Sequence, residues 1–166
     1  MSDLAHTLSV PLMTLHGEAK RLLEATILTG RTLGRQRLVR ANAKHPAARA
    51  LTDLVTVTYG PLPVLREEFA DLPGAARVLL FGSWAARYRG EPGPPPNDVD
   101  VLVVGPAKRA AVYAAADRAQ ARLVLPVNPV LASARRWGEA SDALMRQIKA
   151  SASVLLHTTD DGEGTL

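Results

Sequence analysis

The chain has no cysteine, few aromatic residues and no long apolar run. Without thiols, disulfides and thiolate metal centres are excluded, although this alone does not fix a compartment. Aromatic residues make up 4% of the chain against an apolar total of 47%, so a core has to be built mostly from Ala, Leu and Val. No stretch approaches the roughly eighteen consecutive apolar residues of a membrane span. The opening MSDLAHTLSV lacks the charged-then-apolar layout of a signal peptide, so the expected location is the cytoplasm, with no membrane partner. Histidines are few and scattered: His6, His16, His45 and His157 make no metal-ligand or triad spacing, and no lysine-bearing phosphate loop is present.

What is present is unevenly charged. The net charge is +4 over 166 residues. Residues 1–50 carry eight Lys/Arg against three Asp/Glu, and the remainder carries twelve against thirteen. All of the excess positive charge therefore lies in the first third, which points to a polyanionic partner for that segment.

The length allows one ordinary domain or two small ones. SDLAHTL (2–8) predicts a short helix, and PLMTLHGEAKRLLEA (11–25) a longer one whose Leu12, Leu15, Ala19, Leu22 and Leu23 share a face. Two strands, about 27–33 and 37–41, flank Gly34-Arg35-Gln36 as a basic hairpin. Short helix, turn, longer helix and basic hairpin resemble a winged helix-turn-helix DNA-binding segment, without the further helix that normally precedes them. Either the chain start is truncated, or a partner or the second domain covers the face left open. The resemblance implies groove contacts from Met13, Thr14, His16, Gly17, Lys20 and Arg21, and backbone contacts from Arg31, Arg35, Arg37 and Arg40 on the wing.

After a linker at 42–48, helices are expected at 47–58 and 62–71, broken by Pro61 and Pro63. Strands are expected at 77–81, at 99–104 and in LVLPVNPVL. Pro126 and Pro129 mark that third strand as an edge or a bulged one. Helices are expected at 107–122 and, as one continuous element, at 134–150, followed by a polar tail. The expected domains are thus 1–43, winged helix-turn-helix-like; 44–73, linker helices; 74–157, the chemistry-bearing domain; and 158–166, a flexible tail.

The chemistry lies in FGSWAARYRGEPGPPPNDVDVLVVG, residues 81–105. Asp98 and Asp100 are two apart on a strand and so project from one face, with Val99 turned to the core. Two adjacent carboxylates repel unless something positive lies between them, and an oxygen-loving divalent ion is the usual answer. Gly82-Ser83 closes the preceding strand and opens a helix, where free backbone N–H groups and the absence of a Cβ suit a phosphate. Together these features fit a magnesium–nucleoside triphosphate site.

The same residues resemble the minimal nucleotidyltransferases of the DNA polymerase beta superfamily: apolar strand, Gly-Ser, helix, then Asp-x-Asp into an apolar strand, here VLLFGSWAAR…NDVDVLVVG. The resemblance covers about 74–150. It implies an α/β (α+β) domain with a small mixed sheet flanked by helices. Gly82 and Ser83 would hold the triphosphate, and Asp98 and Asp100 would bind Mg2+ or Mn2+. Arg87 and Arg89 are assigned to charge on the leaving group. Trp84 is expected as a helix anchor rather than a base-stacking platform. The family's third carboxylate would fall in LPVNPVL, where Asn128 stands; Glu91 is a substitute in the loop, and Asp117 is expected on a helix surface.

Three functions follow. The first is transfer of a nucleoside monophosphate to a protein or small-molecule hydroxyl, the protein being a toxin-like partner in a paired toxin–antitoxin system. The second is a DNA-binding transcriptional regulator whose weakened domain only binds nucleotide or metal. The third is a non-catalytic homodimeric scaffold joined through Leu4, Leu8 and Leu15.

Overall fold

A computed structural model describes residues 2–34 and 36–159, with Gln36 described by its backbone alone. Arg35 and the tail from 160 onward lie outside the described residues, and with them one wing arginine and most of the expected tail. The chain divides into two compact units, one ending at Leu54 and the other beginning at Val55.

In the first unit, α1 (Ser2–Thr7) and α2 (Leu12–Glu24) precede an antiparallel hairpin of β1 (Leu28–Leu33) and β2 (Gln36–Ala41). Ala5 and Ala19 are buried, while Leu4, Leu8, Leu12 and Met13 are exposed. The hairpin register separates its arginines. Arg31 lies opposite Leu38 and Arg40 opposite Thr29, whereas Arg37 lies opposite Thr32 on the alternate face. That alternate face is the one turned toward α2, because a Cβ on Gly30 would meet Leu23 at 3.3 Å.

α3 (Ala48–Tyr59) crosses the division between the units. The second unit continues with α4 (Pro61–Phe69), β3 (Arg77–Phe81), α5 (Gly82–Tyr88), β4 (Val99–Val104), α6 (Arg109–Leu123), β5 (Val127–Ala132), α7 (Ala134–Glu139), α8 (Ala143–Ala150) and β6 (Ser153–Thr158). The four strands form one mixed sheet in the order β5-β4-β3-β6; β4 and β5 are parallel and the other pairs antiparallel. β5 is an edge strand, as Pro129 within it requires, since that residue has no N–H to give a second neighbour.

Strand alternation sends side chains to two cores. Val78, Leu80, Val99, Val101 and Val103 pack with Leu65 and Phe69 of α4 and Val112, Ala115 and Ala119 of α6. The segment expected to link the domains thus supplies two of the most deeply buried side chains of this unit. Leu79, Leu102 and Val104 pack on the other face with Met145 and Ile148 of α8. Phe69 is fully buried, so Phe69→Ala is expected to cost about 3–5 kcal/mol in urea denaturation. A loss below about 1 kcal/mol would contradict the packing of α4 on the sheet.

Two expectations need correction. The helix expected at 134–150 is two helices: α7 ends where Ala140 takes a left-handed φ of 46°, and Asp142 caps α8 by accepting from the Met145 N–H at 3.0 Å. Asp142 also accepts from Arg136 Nε at 2.6 Å, which together with that cap holds its carboxyl below the usual range. The second correction is β6, a strand not expected beyond 150, which pairs antiparallel with β3 and forms the other sheet edge. Among the described residues, no helix is long and apolar enough to cross a membrane.

Candidate active site

The face of β4 that is apolar at Leu102 and Val104 becomes acidic toward its N-terminal end. Asp100 shares that face by strand alternation, and Asp98 stands just before the strand in the same phase. One row crosses the whole sheet here: Asn128 on β5 is in register with Asp100 on β4, Asp100 with Phe81 on β3, and Phe81 with Ser153 on β6. Asp98 is exposed and Asp100 half-buried.

Asn128 joins the two carboxylates. Its Nδ2 donates to Asp98 Oδ2 at 3.0 Å and to Asp100 Oδ1 at 3.3 Å. Opposing influences act on Asp100. Burial pushes its carboxyl up and the Asp98 charge adds to that, while the Asn128 hydrogen bond works against both, leaving the carboxyl above its ordinary value.

Gly82 completes the corner. It begins α5 with a left-handed φ of 72°, and a Cβ placed there would meet Asp100 Oδ2 at 2.8 Å. The β3–α5 turn and the carboxylate of β4 are therefore in direct apposition, and the left-handed φ favours glycine there. Ser83 follows in the first turn of α5 and is exposed.

The two arginines expected at a leaving group are engaged by backbone. Arg87 Nη1 donates to the Glu91 carbonyl, and a side chain on Gly93 would run into the same guanidinium. Arg89 Nη2 donates to the Ser153 carbonyl at 3.0 Å, at the β6 end of the sheet row. Both side chains hold structure around the 89–97 loop. Trp84 packs half-buried against the core, its ring centroid 6.3 Å from that of Tyr88, as an anchor would. Glu91 is exposed in the loop and Asp117 exposed on α6.

In the first unit, Met13, Thr14, His16, Gly17, Lys20 and Arg21 are all exposed on α2. Arg21 pairs with Glu18 at 2.9 Å and Lys20 with Glu24 at 3.7 Å, so part of the helix's positive charge is balanced locally. Arg31, Leu38, Arg40 and Thr29 line a concavity on the hairpin face turned away from α2. Arg37 lies on the opposite face.

The donor set at Asp98 and Asp100 fits magnesium or manganese. One amide nitrogen reaches both carboxylates, so both can serve one small ion. Mg2+ is ordinarily held by one or two carboxylates together with substrate phosphates and water. Among the described residues, no group of three or more acidic, histidine or cysteine side chains forms a closed metal cage. Asn128 stands on β5 directly across from Asp100. Its bridge between the two aspartates has no signature in the sequence, because it depends on β4–β5 register.

No family model and no curated protein matches the chain. Several solved structures are distantly similar, among them these three. One is a toxin–antitoxin complex with AMP-PNP, at 18% identity over 58% of this chain and 73% of that one, with a TM-score of 0.41. Another is a candidate nucleotidyltransferase from Sulfolobus solfataricus, at 17% identity over 75% of this chain and all of that one, with a TM-score of 0.39. The third is a complex of a tri-AMPylated HEPN toxin with MNT antitoxin from Shewanella oneidensis, at 18% identity over 68% and 74% of the two chains, with a TM-score of 0.34. At that distance they assign no activity to this chain.

Proposed function

We propose that the second unit binds a magnesium nucleoside triphosphate and transfers its nucleoside monophosphate to a hydroxyl of a protein or small molecule. The observation that carries this is the apposition of Gly82 and Asp100, with Asp98 brought beside them through Asn128. Asp98 and Asp100 would hold the metal, and Gly82-Ser83 would receive phosphate oxygens at backbone N–H groups of the first turn of α5. A bound divalent ion neutralises charge on the triphosphate and on the departing pyrophosphate. The acceptor oxygen bonds to the α-phosphorus as the α–β bridging bond breaks, and pyrophosphate leaves with the electron pair. Asn128 has no basic site for the acceptor's proton, so that proton passes to water. Turnover is expected to be slow, since a positioned base typically contributes about 10²–10⁴-fold.

The test is incubation with Mg2+, α-phosphate-labelled triphosphates and a mixture of acceptor proteins. Covalent label with equimolar pyrophosphate, both lost in Asp98→Asn, supports transfer; bound nucleotide without either contradicts it.

One observation favours a second reading, a transcriptional regulator whose domain binds nucleotide or metal without turnover: the side chain across from Asp100 is the amide of Asn128, which cannot act as a base. In either case the first unit is proposed to contact DNA through α2 and the hairpin. If it does, affinity falls steeply with salt, and Arg31→Ala and Arg40→Ala, which share one hairpin face, each reduce the salt slope by about 1. Arg37→Ala, on the other face, changes the slope less. Salt-independent binding would contradict the proposal.

A further inference from the structure

Asn128 is more than a missing carboxylate. Its side-chain amide has a donor end and an acceptor end, and only the donor end is tolerable between two carboxylates. Turned the other way, its carbonyl oxygen would face Asp98 and Asp100 with nothing to donate. The arrangement is also strongly positioned. Asn128 lies directly across from Asp100 in the parallel β4–β5 ladder, and its neighbour Val127 is buried, which fixes the alternation that aims Asn128 to the acidic side.

Two charge-assisted hydrogen bonds from one NH2 group thus do in the metal-free protein part of what a cation does when bound. They hold the carboxylates together and offset their repulsion. An ion bridging the pair through these two oxygens would take the place the amide hydrogens now fill. An NH2 group cannot ligate a cation, so both bonds would be given up to an ion bound there.

We infer that Asn128 is a positioning residue that clamps Asp98 and Asp100 in the metal-free state and competes with the divalent cation for them. The clamp keeps the site folded without metal and lowers its metal affinity, so occupancy becomes dependent on metal concentration and on the phosphates that arrive with it. The inference rests on the metal reading of the aspartate pair given above.

Thermal unfolding in chelator and Mn2+ titration by calorimetry, on the full chain, separate the clamp from the metal site. Asn128→Ala removes the clamp: the metal-free Tm is expected to fall by about 2–4 °C, and Mn2+ affinity to rise roughly tenfold because the competing bonds are gone. Asn128→Asp adds a third negative charge, so its metal-free Tm falls further and Mn2+ restores more of it. A second background guards against a trivial packing effect. With Asp98→Asn already present the repulsion is relieved, and Asn128→Ala should then cost clearly less Tm.

An unchanged metal-free Tm in Asn128→Ala, or the same loss in both backgrounds, would overturn the clamp. Weaker Mn2+ binding by Asn128→Ala would overturn the competition and make the residue a ligand. If wild type and Asn128→Ala both fail to take up Mn2+ while the Tm pattern holds, the metal reading and the competition fall together.

Discussion

Asp100→Asn is expected to act in two opposite directions, stabilising the metal-free fold at neutral pH while weakening metal-dependent nucleotide binding. Asp100 is half-buried beside a second carboxylate, and burial followed by the Asp98 charge keeps its carboxyl above the ordinary value despite the Asn128 bond. A carboxyl raised on folding binds more protons in the native than in the unfolded state over the interval between the two pKa values. Its contribution to stability is therefore full below the unfolded value and is lost as pH rises through the folded one. Above that window the ionised group costs stability, and a neutral amide of the same shape removes the cost. In chelator, the variant's Tm should exceed wild type at neutral pH, and the difference should vanish in acid, where the wild-type carboxyl is protonated. Parallel Tm profiles would contradict the assignment. Binding of the magnesium nucleotide, by contrast, should weaken about a hundredfold, since a contact to a full charge of about 3 kcal/mol is lost.

Gly82→Ala is expected to damage the site from the other side. A residue with a Cβ at φ 72° costs about 1–2 kcal/mol, and the Cβ would meet Asp100 Oδ2 at 2.8 Å. The first effect is on stability, and the second displaces a carboxylate that binding requires. Nucleotide affinity should fall at least about tenfold, with a stability loss of about 1–2 kcal/mol. In an Asp100→Ala background the stability loss should remain, since it comes from the backbone. A Gly82→Ala protein that binds nucleotide as wild type does would mean that turn and strand do not form one site.

The sheet strands were legible where burial on both faces leaves a mostly apolar run. RVLLF and VDVLVV, apolar apart from Arg77 and Asp100, have boundaries at 77–81 and 99–104 that need no tertiary information. The edge position of β5 was legible from Pro129. The break between α7 and α8 was not, because Trp137, Ala140, Leu144 and Ile148 keep helical spacing across it. The overriding signal was the Asp142 cap, whose preference for a fresh helix start outweighed periodicity. β6 went unseen because SVLLHT is short and borders a polar tail; its strand character comes from β3, which needs a second antiparallel neighbour. The acidic pair, the Gly-Ser turn and the amide at 128 were all readable as residue types. What required three dimensions was that the ladder puts Asn128 onto both aspartates, and that Arg87 and Arg89 turn to backbone carbonyls of Glu91 and Ser153.

Asp98 and Asp100 are proposed to make one metal-dependent nucleotide site with the Gly82 turn. Calorimetric titration of ATP, GTP, CTP and UTP with Mg2+ tests it most directly, with wild type beside Asp98→Asn/Asp100→Asn and pyrophosphate followed in the same samples. Wild type is expected to bind at least one triphosphate only when Mg2+ is present, and the doubly substituted protein, though folded, to bind none. No binding by wild type, or equal binding by both proteins, would contradict the proposal.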